Sequence, residues 1–292
     1  MNDKLWLNEY ENCLNELYGN DLNIKKSIDI KRKHIPKTLY RFRALTDNGD
    51  NDYEFENLEN DTIWLNSPKI FNDPYDTKPL YNPYNLYNLL NNDVSTKKLI
   101  ENRDSKEVKD LFAKTFEEFC QTYRIGCFTK NEPTNILMWS HYAHYHEGYC
   151  VEYKIDETFE KHEIFWNGMC PVIYSDNIFD LSVYLYTIIK NAVSLIENKD
   201  NKHFNNIIFN LVALYKSNLW SYENEWRVVM DKNLYRIDNL INAPKPSAIY
   251  VGLNTSDRNK AILKNISRKR DIKLFYIKRC SDEYRLYIDE NA

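Results

Sequence analysis

Apolar positions along this chain recur at two different periods. Over residues 3–18, Leu5, Trp6, Tyr10, Cys13, Leu14 and Leu17 fall at helical spacing, which predicts an amphipathic helix lying on the body of the protein. Residues 105–123 repeat the pattern with Val108, Leu111, Phe112, Phe116, Phe119 and Tyr123 on one stripe. Residues 178–197 and 203–219, rich in Ile188, Ile189, Val193, Ile207, Ile208, Leu211 and Leu214, predict two more long helices. "SDRNKAILKNISRKR" predicts another, capped by Ser256 or Asp257. In "EPTNILMWSHYAHYH", Pro133 is placed in the first helical turn.

Short β-prone runs lie between these segments: "KTLYRFRAL", "TIWLNSP", "RIGCFTK", "GYCVEYKI", "SYENEWRVVM", "SAIYVGL", "IKLFYIKR" and "YRLYID". "YEFENLEN" predicts a short helix, and Pro68, Pro74, Pro79 and Pro83 predict an irregular loop over 68–83. Strands and helices mix without a βαβ rhythm, so the expected class is α+β. The expected layout is an N-terminal helix with a basic linker over 1–36, then a single domain over 37–292 with helical insertions at about 84–123 and 178–219.

With 292 residues, 43% of them apolar, the chain can build a sizeable core. A net charge of −4 gives no overall pull toward nucleic acid or membrane. The run Lys25–Lys37 is locally basic and reads either as a solvated linker or as a contact for an acidic or nucleic-acid partner. No apolar stretch is long enough to span a bilayer and the N-terminus has no apolar signal core, so a cytoplasmic protein without membrane contact is expected. The six cysteines form no CxxC pair and read as reduced structural thiols. With only six glycines and neither GxGxxG nor GxxxxGK[ST], a nucleotide cradled by a glycine-rich loop is excluded.

Four groups of residues could carry chemistry. Arg41 and Arg43, two apart on a strand, share a face and could clamp phosphates, or could form ordinary surface ion pairs. Asn72, Asp73 and Asp76 in "FNDPYD" suit a rigid turn or a ligand contact. Trp139, His141 and Tyr142 could stack on a flat ring. His141, His144 and His146 are poorly spaced for a helical metal pair, so no metal is expected. Glu223 and Glu225, two apart in "WSYENEWR", are expected on one strand face, with Arg227 as a structural partner for one of them.

The set "LYRFR", "WLNSPKIFNDPYD", "CFTKNEPTNILMWSHYAHYHEGYCVEY" and "SYENEWRVV" resembles the bacterial family called domain of unknown function 2971, over about residues 38–252. The order of the pieces also resembles the ADP-ribosyltransferase fold, most of all DarT-type toxins, and Glu223-Asn224-Glu225 matches the spacing of the Glu-x-Glu or Gln-x-Glu pair of the arginine-type members. That resemblance implies a split mixed β-sheet core with added helices. It implies NAD as substrate, with Arg41 or Arg43 gripping NAD, Glu225 as catalytic glutamate and Glu223 orienting the acceptor. Beside these, the ligand-contact and stacking candidates Asn72, Asp73, Trp139, His141 and Tyr142 are expected around the dinucleotide. It points to a toxin or phage-defence effector that modifies nucleic acid (RNA, including mRNA, or DNA) and to an antitoxin partner. The runs Lys25–Lys37 and Arg268–Arg270 would supply phosphate contacts. Three alternatives stay open. One is a transferase acting on protein. Another is a nucleotide-binding sensor in which Glu223 and Glu225 pair with Arg41 and Arg43. The last is a metal-dependent hydrolase using Asp73, Asp76, Glu225 and the histidines.

Overall fold

A computed structural model describes residues 2–15, 21–46, 51–78, 80, 82–101, 104–154, 159–182, 185–186, 189–190, 193 and 208–290. The elements, in chain order, are α1 Asn2–Asn15, α2 Asp21–His34, β1 Thr38–Arg43, α3 Asp52–Asn60, β2 Thr62–Trp64, α4 Pro83–Asn92, α5 Val94–Ile100 and α6 Ser105–Thr122. There follow β3 Tyr123–Thr129, α7 Ile136–Tyr142, β4 Tyr149–Lys154, α8 Glu163–Gly168, β5 Met169–Pro171, β6 Ile173–Ser175, α9 Ile208–Leu214 and β7 Tyr215–Ser217. The chain ends with β8 Glu225–Asp231, α10 Lys232–Tyr235, β9 Leu240–Asn242, β10 Ala248–Val251, α11 Asp257–Arg270, β11 Lys273–Arg279 and β12 Leu286–Asp289. The class is α+β, as the pattern of elements implies.

Eight strands form one mixed sheet in the order β12-β11-β10-β4-β1-β3-β8-β5. Only β10 and β11 run parallel; the other neighbours are antiparallel. "GYCVEYKI" therefore supplies a central strand, with β10 on one side and β1 on the other. β1 pairs with β4 at six positions but meets β3 at one alone, Tyr40↔Thr129. Beyond that rung the two strands separate and the sheet opens. Asn66 fills part of the gap, exchanging both backbone hydrogen bonds with Ile125 of β3 at 2.8 Å each.

Alternation along the strands builds different layers on the two faces. Leu39 of β1, Phe128 of β3, Val151 of β4 and Trp226 of β8 join a core beneath α3, α8 and α11. Tyr123, Ile125 and Val229 face a second core shared with α1, α4 and α9. A third, smaller cluster gathers Phe42, Met138, Trp139, Cys150 and Tyr250 around α7.

Local chemistry sets several boundaries. Asn135 caps α7, its Oδ1 accepting from the amides of Leu137 (3.1 Å) and Met138 (3.3 Å). The helix thus starts beyond Pro133, because an Asn side chain satisfies the free first-turn N–H groups better than Pro133 could. Ser256, not Asp257, caps α11. None of the six cysteines forms a disulfide.

The structure corrects two expectations. The basic run Lys25–Lys37 is not a solvated linker: residues up to His34 belong to α2. Its register buries Lys31, whose Nζ donates to the Asn167 carbonyl, while His34 stacks on Trp6 at 4.3 Å. The expected helix over 203–219 ends at Leu214, where Tyr215–Ser217 turns into a strand beside β6. Most of 183–207, with half of the helix expected at 178–197, and Leu17 lie outside the described residues.

Candidate functional site

The opening of the sheet holds a cavity of about 360 Å³. Arg41 and Arg43 line it from β1, Cys127, Phe128 and Thr129 from β3, and His141 and Tyr142 from α7. Phe71, Asn72 and Asp76 come from the proline-rich loop, Lys216 from β7, and Glu223 and Glu225 from the segment entering β8.

Strand register places the two charged pairs on opposite faces. Tyr40, Thr129 and Glu225 lie on one rung and share a face. Arg41 and Arg43 alternate with Tyr40 and project from the other. A closed sheet would keep them apart; they line one cavity because β1 and β3 diverge.

The two arginines differ in partners. Arg43 pairs bidentately with the buried Glu54 of α3, Nε to Oε2 at 2.9 Å and Nη2 to Oε1, and Tyr149 donates its hydroxyl to Glu54 at 3.0 Å. Burial pushes Glu54 up, but Arg43 outweighs it and holds the carboxyl below its usual range. The pair is thus internal rather than on the surface. Arg41, 6% exposed, donates to the Trp64 carbonyl at 2.6 Å and lies over the Phe128 ring at 5.5 Å. It has no carboxylate within ion-pair reach among the described residues. Burial and the neighbouring Arg43 lower its pKa.

Glu223 and Glu225 do not share a strand. Glu223 ends a 3₁₀ turn over Asn218–Glu223, Asn224 takes the left-handed conformation at φ 47°, and β8 begins at Glu225. Asn tolerates that conformation better than most residues. The end of β3 clamps the turn. Thr129 donates its hydroxyl to the Glu223 carbonyl, Asn131 donates to the Tyr222 carbonyl at 2.6 Å, and the Lys130 amide donates to the Asn224 carbonyl at 3.1 Å.

The two carboxylates still converge, on Lys216. Its Nζ donates to Glu223 Oε2 and to Glu225 Oε2 (3.0 Å), and lies 3.7 Å from Asp76 Oδ2. Arg227, fully buried, donates Nε and Nη2 to Glu225 (2.8 and 3.0 Å) and both Nη atoms to Asp76 (2.8 and 2.6 Å). It also donates to the Ala213 carbonyl at 2.7 Å. Glu223 Oε1 accepts from the Tyr142 hydroxyl. Glu223 and Glu225 therefore pair with Lys216 and Arg227, and the expectation that they would pair with Arg41 and Arg43 is overturned. Asp76, Glu223 and Glu225 against Lys216 and Arg227 leave one negative charge over. Burial raises Glu225, but Arg227 and Lys216 overcome it and hold the carboxyl well below the usual range. Burial raises Glu223, and Glu225 adds to this against the pull of Lys216.

Of the residues chosen from sequence, Arg41, Arg43, Asn72, His141, Tyr142, Glu223 and Glu225 line the cavity. Two do not. Trp139 is fully buried, its indole N–H donating to the Pro133 carbonyl at 2.6 Å and its ring packed on Phe42, so it has no face to offer a ligand. Asp73 is buried and turns inward, Oδ1 accepting from the Tyr75 amide at 2.8 Å. Arg270 braces α3 through Asp61 and the Glu59 carbonyl rather than standing ready for phosphate. No group of three or more His, Cys, Asp or Glu gathers as metal ligands among the described residues. Sequence reasoning missed Lys216, hidden in a helix-like apolar run, and Glu54, which has no signature apart from its contact with Arg43.

No curated protein and no solved structure matches the chain. The model of the family described as protein of unknown function (DUF2971) matches residues 138–228, a segment that holds α7, Lys216, Glu223, Glu225 and Arg227. Over that segment the chain is similar to the DUF2971 family.

Proposed function

We propose that the cavity binds NAD and that the protein is a mono-ADP-ribosyltransferase. The observation that carries this reading is Arg41, a buried guanidinium on the cavity wall with no carboxylate partner among the described residues. A buried unpaired charge is costly, and an oxyanion is the partner its planar fork fits. A pyrophosphate would supply that oxyanion. The carboxylate group on the other face carries an excess negative charge, which suits the cationic nicotinamide ribose. A cavity of about 360 Å³ falls within the range of small-molecule sites. The split of the sheet between β1 and β3 also agrees with the transferase resemblance.

In this reading Arg41 holds the phosphates. Glu225, kept ionised by Arg227 and Lys216, faces the ribose C1′ as positive charge develops there. The C1′–N1 bond breaks with its electron pair leaving on nicotinamide, and a bond forms from C1′ to the acceptor, whose proton is lost. The proposed acceptor is a nucleic-acid base, in RNA or DNA. The proposed role is that of a toxin or phage-defence effector kept in check by an antitoxin, working in the cytoplasm.

Purified protein incubated with labelled NAD and RNA, DNA or lysate tests this beside Glu225→Gln. Nicotinamide release and label on nucleic acid are expected, reduced about 10²–10³-fold in the variant. Label on protein would move the acceptor to a side chain. No release with any acceptor would overturn the reading. A second reading has its own support: Glu225 is already fully engaged by Arg227 and Lys216, which suits a site that binds a nucleotide without turnover. NAD binding with no nicotinamide release favours it.

A further inference from the structure

The large sheet has two edges, and the chain treats them differently. β5 ends one of them with buried residues, the last being Pro171, which has no N–H to offer a further strand. At the other edge β12 pairs with β11 and, among the described residues, has no strand on its outer side. It holds neither proline nor lysine, the usual means of blunting an edge, and Tyr287 in its middle is 43% exposed.

The register fixes which backbone groups are left over. The Cys280 amide bonds the Arg285 carbonyl at 2.9 Å, so on this antiparallel ladder Arg285, Tyr287 and Asp289 turn their backbone groups toward β11. The N–H and C=O of Leu286 and Ile288 therefore point outward. Side chains alternate too: Leu286 and Ile288 join the cluster around α7, while Arg285, Tyr287 and Asp289 share the opposite face.

These outward groups fit an antiparallel copy of themselves. With a two-fold axis at Tyr287, Leu286 faces Ile288 of a second copy and Ile288 faces its Leu286, which closes four backbone hydrogen bonds. The two Tyr287 rings become a close cross-strand pair, and Arg285 stands against Asp289 on either side of them. An axis at Leu286 would set Asp289 against Glu283, and one at Ile288 would set it against Tyr287. Of the three, the axis at Tyr287 alone brings opposite charges together. Arg285 already gives its Nε to Glu283 at 2.8 Å, and a guanidinium carries four further N–H donors for a second carboxylate.

We propose that β12 is a dimerisation strand, through which two copies of this chain join their eight-stranded sheets edge to edge. The interface is isologous, since the strand complements itself under the two-fold in hydrogen bonds, rings and charge. So short a pairing belongs at the weak end of specific interfaces, and the dimer fraction follows concentration.

Equilibrium sedimentation at low ionic strength, from about 1 μM to about 1 mM chain and without NAD, tests this. The mass should rise from one chain to two. Arg285→Asp and Asp289→Arg each set like charges against each other at both ends of the pairing, and each should weaken the dimer about tenfold or more. Mixed in equal amounts, the two variants should associate again, because each meets opposite charges on the other chain. Mixing repairs no contact inside either chain, so this recovery is a readout of the interface alone. Ile288→Pro removes one outward N–H per chain and keeps the bonds to β11, so it should weaken the dimer while far-UV circular dichroism stays unchanged. The mass of one chain at every concentration overturns the proposal. So does a dimer that survives the single charge variants or Ile288→Pro, and so do charge variants that stay apart when mixed. No ligand enters the measurement, so its outcome is independent of the transferase reading.

Discussion

At the scale of single residues the site combines two opposite arrangements of buried charge. Among the described residues Arg41 pairs with no acid, and Arg227 pairs with two. Their substitutions should diverge. Arg41→Met removes a desolvated charge and keeps an apolar stem over Phe128, so the melting temperature should hold or rise. The NAD binding proposed for the cavity, measured by calorimetry, should weaken about 10–150-fold, the worth of a charged hydrogen bond of roughly 1.5–3 kcal/mol. Arg227→Ala leaves Asp76 and Glu225 buried with too few donors and should cost about 3–5 kcal/mol in denaturant unfolding. Arg227→Lys should not restore it, because an ammonium cannot bridge two carboxylates with a fork. The sequence shows Arg227 two residues from Glu225, and that spacing on β8 suffices to pair them. Its second partner, Asp76, lies 151 positions away in the chain and could not be read there.

At the scale of elements, the loop between α7 and β4 determines how α7 meets the sheet. His144, Tyr145 and His146 all adopt left-handed backbone, with φ of 46°, 54° and 72°. Such residues are costly unless neighbours hold them. Here the Gly148 amide bonds the Ala143 carbonyl at 2.9 Å, and the Asn254 amide bonds the His146 carbonyl at 2.9 Å. Gly148 passes so near β1 that an added Cβ would sit 1.9 Å from the Arg43 carbonyl oxygen. Gly148→Ala should therefore cost about 1–3 kcal/mol and weaken the proposed NAD binding as well, because the shift displaces Arg43 and Tyr142. Ordinary stability loss alone, with binding intact, would argue that the loop does not set the site. The strand and helix assignments in this region were legible from alternation and from turn residues. The start of α7 and the 3₁₀ turn before β8 were not, since Asn135 and Asn224 act through side-chain and backbone geometry that periodicity does not register.

At the scale of the whole molecule, buried ionisable groups set a pH window for stability. Glu54 and Glu225 have depressed folded pKa values, so their contribution is complete above the ordinary carboxylate value of 4.5 and is lost as pH falls through the folded values. Burial raises Tyr149 well up and Tyr153 to about 12, so their contribution holds below 10.0 and is lost as pH rises above it. Glu223, raised, runs against the other carboxylates: its contribution is complete only below 4.5 and fades as pH rises through its folded value. The melting temperature should be highest between these limits and fall on both sides, with a shallower acid slope in Glu54→Gln. An acid limb identical in that variant would exclude Glu54 from the window.

The sequence by itself determined the α+β class, most strands, the family resemblance, and the arginine and glutamate pairs as the places to look. Those follow from alternation, capping and local spacing, which act over a few residues. Folding in three dimensions alone settles that β1 and β3 part after one rung, that Lys216 joins the two glutamates, that Glu54 takes Arg43 while Arg41 meets no carboxylate among the described residues, and that Trp139 is core. Each depends on groups far apart in the chain competing for a partner in a space without water, and charge pairing there is settled by distance and geometry rather than by neighbouring residue types.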